Sequence, residues 1–209
     1  SIGALLPQMH GDLRLMRAVK DEEEIALMKR AQAITDAAFA HMLEFIRPGL
    51  TEKQIKLELE NFMFENGADG LAFGSIVAAG PNAANPHAIP SDRPVQKGEF
   101  VLMDYGARYH DYDSDMTRTV AVGEPSAKMR EIYNLVQRSH EECAKAVYAG
   151  VDGNEIHELS RKIIGDAGYG EYYGHGLGHG VGIDIHELPN FGRTHNTVGE
   201  GSVVTIEPG

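Results

Sequence analysis

Lys97-Gly98-Glu99-Phe100-Val101-Leu102-Met103-Asp104-Tyr105-Gly106 and Glu200-Gly201-Ser202-Val203-Val204-Thr205-Ile206-Glu207-Pro208-Gly209 follow one pattern at an offset of 103 residues. Each has a charged residue and a glycine, a strand-like run, an acid and a closing glycine. Working outward, Pro48-Gly49-Leu50-Thr51 with Gln54-Ile55 and Gly67 is answered by Ala149-Gly150-Val151-Asp152 with Glu155-Ile156 and Gly168, offset 101. Pro86-His87-Ala88-Ile89-Pro90 is answered by Ile185-His186-Glu187-Leu188-Pro189, offset 99. The order is kept throughout, and the period is too long for a solenoid. The chain therefore reads as α+β, with two pseudo-symmetric halves of helix, helix, His-Pro loop and strand folded against each other around a cleft.

Local patterns fill in these halves. Asp21 with Glu24 is a capping-box pair, and Ile25, Met28, Ile34, Ala38, Met42 and Phe45 recur at helical spacing until Pro48-Gly49. Thr51 with Gln54 opens a second helix, carried by Ile55, Leu59, Phe62 and Met63 and ended by Gly67. A strand is expected over 72–78, an ordered loop over 80–94, and strands over 99–105 and 115–122. A helix follows over 126–149. A capping box at Asp152 and Glu155 starts another that ends near Gly168, and 202–206 is a final strand.

The length of 209 residues gives one to two domains and ample material for one core. Nineteen Lys and Arg against 31 Asp and Glu leave a net charge of −12, which argues against nucleic acid and anionic membranes as partners. The longest apolar stretch, 71–79, is interrupted by Gly74 and Ser75 and is about half the ~18 residues of a membrane span. No basic segment precedes the apolar 2–6, and Cys143 is a lone cysteine, so a reducing cytoplasm is the expected location.

Chemistry-bearing residues fall in two groups. A hairpin turning at Tyr109-His110 would put Asp104 directly opposite Asp115, and like charges there need something positive between them. A divalent cation answers this, as would a shared proton or Arg118. The second group is Gly174-His175-Gly176-Leu177-Gly178-His179-Gly180 with His186-Glu187, where glycines let imidazoles approach a metal or substrate. The alternation of Leu177, Val181, Ile183 and Ile185 reads as a strand. His140-Glu141 and His157-Glu158 lack a second histidine at zincin spacing and read as solvated helix positions. No Gly-x-Gly-x-x-Gly, Walker or Gly-x-Ser-x-Gly motif occurs. Carboxylates with imidazoles fit Mn, Co or Zn better than a thiolate site does, and two such ions could hold a bridging hydroxide for hydrolysis.

Met103-Asp104-Tyr105-Gly106, Ser114-Asp115-Met116-Thr117-Arg118-Thr119, His175-Gly176-Leu177-Gly178-His179-Gly180-Val181-Gly182 and Thr205-Ile206-Glu207-Pro208-Gly209 resemble the pita-bread metallopeptidases. The branch they resemble most holds the Xaa-Pro dipeptidases (prolidases) and Xaa-Pro aminopeptidases. The resemblance implies the pita-bread fold, a curved antiparallel sheet covered by helices. It implies Asp104, Asp115, His179 and Glu207 as ligands of two divalent ions, Mn first with Co and Zn as alternatives, and Asp115 shared between them. It further implies Glu207 as general base, with His87, His175 and His186 positioning the substrate and stabilising the oxyanion or departing amine.

The implied substrate is a peptide with proline at its second position, and the family leaves room for a homodimer. Residues 1–12 then read as a lead-in from an upstream domain, and 13–209 as the catalytic domain. The family's N-terminal domain and its further Glu ligand, beyond the Glu-Pro-Gly motif, are expected outside this sequence. On the repeat, that acid belongs about eleven or slightly more residues past Glu207, on a second hairpin strand. Asn190 stands where some dipeptidases carry an Arg after His-Glu-x-Pro, which weakens the dipeptidase reading. A decayed domain that binds proteins, or a methionine aminopeptidase, are the alternatives.

Overall fold

The computed structural model describes Gly11 and residues 13–209, so all but Gly11 of the expected lead-in over 1–12 lies outside the described residues. The chain divides into two compact units, Glu23–Arg130 and Glu131–Gly209, the second joined by the described residues up to Glu22.

In the Glu23–Arg130 unit, helix α1 (Glu22–Phe45) buries Met28, Ala31, Ile34, Thr35, Ala38 and Met42 along one stripe. Pro48 cannot continue it, because the residue before a proline is held out of the helical region. Helix α2 (Glu52–Glu65) starts at the expected capping box: Gln54 N donates to Thr51 Oγ1 at 3.2 Å, and Thr51 N donates to Gln54 Oε1 at 2.9 Å. Its buried Ile55, Leu59 and Met63, four residues apart, meet Ile34, Ala38 and Met42. Fully buried apolar side chains contribute about 1.5–3 kcal/mol each, so this contact fixes the helix pair.

The sheet on which they pack has the order β2 (Ile76–Ala79), β3 (Phe100–Tyr105), β6 (Met116–Ala121), all antiparallel. Side chains alternate across a strand; Val101, Met103 and Tyr105 therefore enter the core while Asp104 takes the opposite face. A second small sheet has the order β1 (Gly70–Leu71), β4 (Ala107–Tyr109), β5 (Tyr112–Asp113). The strand expected over 72–78 is broken into β1 and β2 by bends at Ala72 and Phe73. The loop over 80–94 opens with a 3-10 turn over Gly80–Ala84.

In the other unit, α3 (Ala127–Ala146) and α4 (Gly153–Asp166) face each other through Ser139 and Ser160, whose hydroxyls are 2.9 Å apart. Cys143, Val151, Ile156, Leu177, Phe191 and Val198 form its core. β7 (Gly178–Gly180) pairs with β8 (Glu187–Phe191). The strand expected through Ile185 stops at Gly180, since 182–186 bend and Ile183 is exposed.

The segment over 202–207 runs antiparallel to β7. Val181 N donates to Val203 O, Thr205 N to His179 O and Glu207 N to Leu177 O, at 3.0, 2.8 and 2.7 Å. The expected strand is thus extended, yet only isolated bridges at Ser202 and Val204 mark it as sheet. Gly178 permits this approach: a Cβ there would lie 2.1 Å from Thr205 O.

Asp152 caps α4 by accepting from Asn154 N at 3.0 Å, in place of the expected box with Glu155. His140 is exposed, but His157 is 2% exposed, not solvated, because it lies on the stripe of Ile156, Ser160 and Ile164. Among the described residues no helix is long and apolar enough to cross a membrane.

The repeat holds in backbone detail. Gly49 and Gly150 have φ of 93° and 101°, Gly67 and Gly168 of 97° and 87°, Gly98 and Gly201 of 90° and 85°. The bridge Thr51–Pro94 is matched by Asp152–Thr197. The pair Ala79–Val101 is matched by Gly180–Val204.

Candidate active site

In the Glu23–Arg130 unit, Asp104 pairs in register with Thr117, whose Oγ1 donates to Asp104 Oδ1 at 2.9 Å. The expected direct opposition of Asp104 and Asp115 is therefore corrected. The turn is His110-Asp111, not Tyr109-His110, with φ of 47° and 67°. Two positive φ values make the hairpin turn whose twist suits the flanking strands. The displacement moves pairing by two residues, which preserves the face. Asp115 is thus the diagonal neighbour of Asp104, about 7–8 Å away at the backbone. His87 is exposed in the loop after the 3-10 turn, its N–H donating to Asn85 Oδ1 at 3.0 Å.

The other unit carries His175, His179, His186 and Glu207. The Nδ1 of His179 is 2.9 Å from the Gly180 carbonyl, which only accepts, so this nitrogen carries the proton. In the neutral ring, Nε2 then presents a lone pair, and it lies 3.2 Å from Glu207 Oε1. Two acceptors at that spacing require a proton or a cation between them, so the donor set fits a metal. Thr205, which motif reading passed over, fixes both groups. Its hydroxyl donates to Glu207 Oε1 at 2.6 Å and accepts from His179 N at 3.0 Å.

Burial alone would raise the Glu207 carboxyl, but with a proton between the two groups the His179 imidazolium donates to it, and that bond, the one from Thr205 and the positive charges of His179 and His175 outweigh burial. The group sits below its ordinary range and stays ionised. The His186 ring meets His179 edge-on, 4.3 Å between centroids. Burial and the neighbouring His179 hold it below the usual imidazole range, against the pull of Glu207, so it is neutral near pH 7. His175 packs edge-on against buried Tyr173 at 5.1 Å, and its Nδ1 is 2.7 Å from Gly176 O. That leaves Nε2 as the outward atom.

Sequence motifs gave no role to two buried carboxylates, Glu52 and Glu187. Glu52, fully buried, accepts from Ala79 N, Asn82 Nδ2, Ser91 N and Ser91 Oγ, at 2.8, 2.9, 2.9 and 2.6 Å, and so closes the loop bearing His87. Glu187, beside His186, is bonded by Lys20 at 2.9 Å and by Arg17. Helical spacing places Glu52 at the first turn of α2, but nothing local marks partners 27 to 170 residues away.

Residues 26–209 match the model of Metallopeptidase family M24. An Xaa-Pro dipeptidase of Pyrococcus horikoshii is 40% identical over 198 residues, covering 94% of this chain and 56% of its own. The solved X-Pro aminopeptidase of Thermotoga maritima superposes with a TM-score of 0.92 at 41% identity, over 95% of this chain and 56% of that one. The Xaa-Pro dipeptidase of Bacillus anthracis gives 0.91 at 46%, over 94% and 56%. The chain thus spans about half the length of the relatives it matches, with the pita-bread fold that its motifs implied. By the extent of these matches, the chain belongs to Metallopeptidase family M24.

Proposed function

We propose that this chain is the catalytic region of a metal-dependent exopeptidase that cleaves between an N-terminal residue and a following proline. The observation that carries the reading is the apposition of His179 Nε2 and Glu207 Oε1 at 3.2 Å, on neighbouring extended segments of a family built around metal ions. Asp104, Asp115, His179 and Glu207 would hold two divalent cations. Three carboxylates with one imidazole favour Mn, with Co and Zn as alternatives. Such ions supply Lewis acidity and a water that ionises near neutral pH.

The chain's own groups then have distinct tasks. Glu207, ionised despite its burial, takes the proton of the attacking water at its carboxylate. His186, neutral beside His179, hydrogen-bonds the reacting carbonyl or the departing nitrogen. His87 and His175 orient the peptide, His175 through its outward Nε2. Proline at the second position suits such a dedicated enzyme, since it lacks the amide hydrogen and fixes φ.

Asn190, the register partner of His179, offers no cation to a dipeptide carboxylate and favours aminopeptidase over dipeptidase action. The cytoplasm remains the proposed location, in keeping with the buried, unpaired Cys143.

The test is turnover of Ala-Pro-Ala, Ala-Pro and Met-Ala-Ala by the purified full-length protein with Mn²⁺. Cleavage of Ala-Pro-Ala above Ala-Pro is expected. Exclusive cleavage of Met-Ala-Ala would convert the reading to a methionine aminopeptidase, and no turnover of any would favour a binding module.

A further inference from the structure

Upstream of the family match at residue 26, the segment over 17–20 meets two of the proposed site elements within its own unit. Lys20, with a side chain 1% exposed, places its ammonium 2.9 Å from Glu187 Oε2. Arg17 Nη2 lies 2.8 Å from Asp184 Oδ2 and also bonds Glu187 Oε1. Glu187 in turn accepts from Asp184 N at 3.1 Å, so its carboxylate closes the bend over 184–187 on which His186 stands. The same segment grips the extended run that ends at Glu207: Lys20 N donates to Gly201 O at 3.1 Å, and Val19 bridges Ser202.

The Lys20 ammonium and the Glu187 carboxylate form a rigid contact, because either one left unpaired would stay buried, and the more exposed Arg17 adds a second cation to the same carboxylate. The bend has little slack, since a Cβ at Gly182 would lie 2.5 Å from Glu187 Oε2.

We propose that Arg17 and Lys20 are positioning residues of the active site, holding the bend that carries His186 in register with the run that carries Glu207. The inference rests on the exopeptidase reading for its kinetic consequence, but not for its structural one.

The test uses the full-length, Mn²⁺-loaded protein and its Lys20→Met and Lys20→Arg variants. Groups that orient site residues from outside the site cost about 10–100-fold when lost, on the scale known for the outer partners of metal ligands. Lys20→Met is expected to lower kcat for Ala-Pro-Ala by about that factor with KM within about threefold, and Lys20→Arg to recover most of it. With diamagnetic Zn²⁺ in place of Mn²⁺, the ring-carbon NMR signal of His186 should move in Lys20→Met, while that of His41, which bonds Glu58 in the other unit, stays in place. An unmoved His186 signal overturns the proposal, as does equal loss in both Lys20 variants. If Lys20→Met does not fold, half-exposed Arg17→Gln takes its place, with a several-fold fall in kcat and a moved His186 signal expected, and no change overturning. A parent protein without Xaa-Pro turnover refutes the exopeptidase reading instead, and the His186 signal still decides the clamp.

Discussion

The two halves of the repeat share their turns, bridges and strand register, yet they hold their His-Pro loops by opposite arrangements. In the first half the buried carboxylate is Glu52, on the scaffold helix, and the loop supplies neutral donors from Ala79, Asn82 and Ser91. The repeat equivalent of Glu52 is Gly153, where even a Cβ would lie 2.5 Å from Asn190 O. No side chain fits there, and the second half carries its acid within the loop, as Glu187 where the first half has Ala88. Its partners are the full charges of Lys20 and Arg17. A duplicated backbone plan therefore leaves each half free to evolve its own anchor, and the non-equivalent side chains distinguish the loops that bear His87 and His186.

The largest effects should come from the acids that the repeat sets in equivalent places. Glu207→Gln removes both a proposed ligand charge and the base, and is expected to lower kcat by about 10²–10⁴-fold. Asp104→Asn, at the equivalent position, removes a ligand alone. Asp115→Asn should abolish tight binding of at least one ion, measured as metal content after dialysis, because an amide brings no charge to bridge two cations. Two ions retained with full activity would remove Asp115 from the centre. His186→Ala and His87→Ala are each expected to reduce kcat by about 10²-fold. Loss in only one of them would confine the reaction's histidine to that loop.

Next in size are the anchors, compared by denaturant unfolding. Glu187→Gln leaves two cations facing a neutral amide, one of them nearly dry, and should cost about 3–5 kcal/mol. Glu52→Gln keeps one oxygen acceptor and loses the match to an N–H, about 1–3 kcal/mol. Equal costs would mean that charge does not separate the two arrangements. Both carboxyls lie below 4.5 in the fold, because hydrogen bonds outweigh the upward push of burial. Their stabilisation is therefore present above about pH 4.5 and is lost as pH falls through the folded values.

The sequence made the duplicated plan legible because its signals are local. Thr51 with Gln54, the glycines at 49, 67, 150 and 168, and the alternation that turns Asp104 away from Val101 and Met103 need no distant partner. The hairpin register was not legible, since His110-Asp111 takes two positive φ values without a glycine to announce them. The anchors were also hidden, because Lys20 finds Glu187 across 167 residues. The burial of His157 could have been found: with Gly153, Ile156, Ser160 and Ile164 it lies on one helical stripe, which small and polar residues disguise.

His157 gives the smallest test, and it too separates the halves. Its repeat equivalent is Lys56, which pairs with Glu60, whereas the buried His157 Nδ1 has no hydrogen-bond partner among the described residues. Burial holds the imidazole below 6.5, helped by the positive charges of Arg161, Arg193 and His175 and opposed by Glu158. The unfolded chain therefore takes up a proton at higher pH than the folded one. The stability that His157 contributes is complete above about pH 6.5 and declines as pH falls toward the folded value, a window above that of the two carboxyls. His157→Leu removes the titrating ring and the unpartnered nitrogen together. It should leave stability near pH 8 within about 1.5 kcal/mol of the parent and flatten the decline between about pH 6.5 and pH 5. Urea unfolding at both ends of that window measures it. A parent and variant that decline in parallel would move this acid sensitivity to other groups.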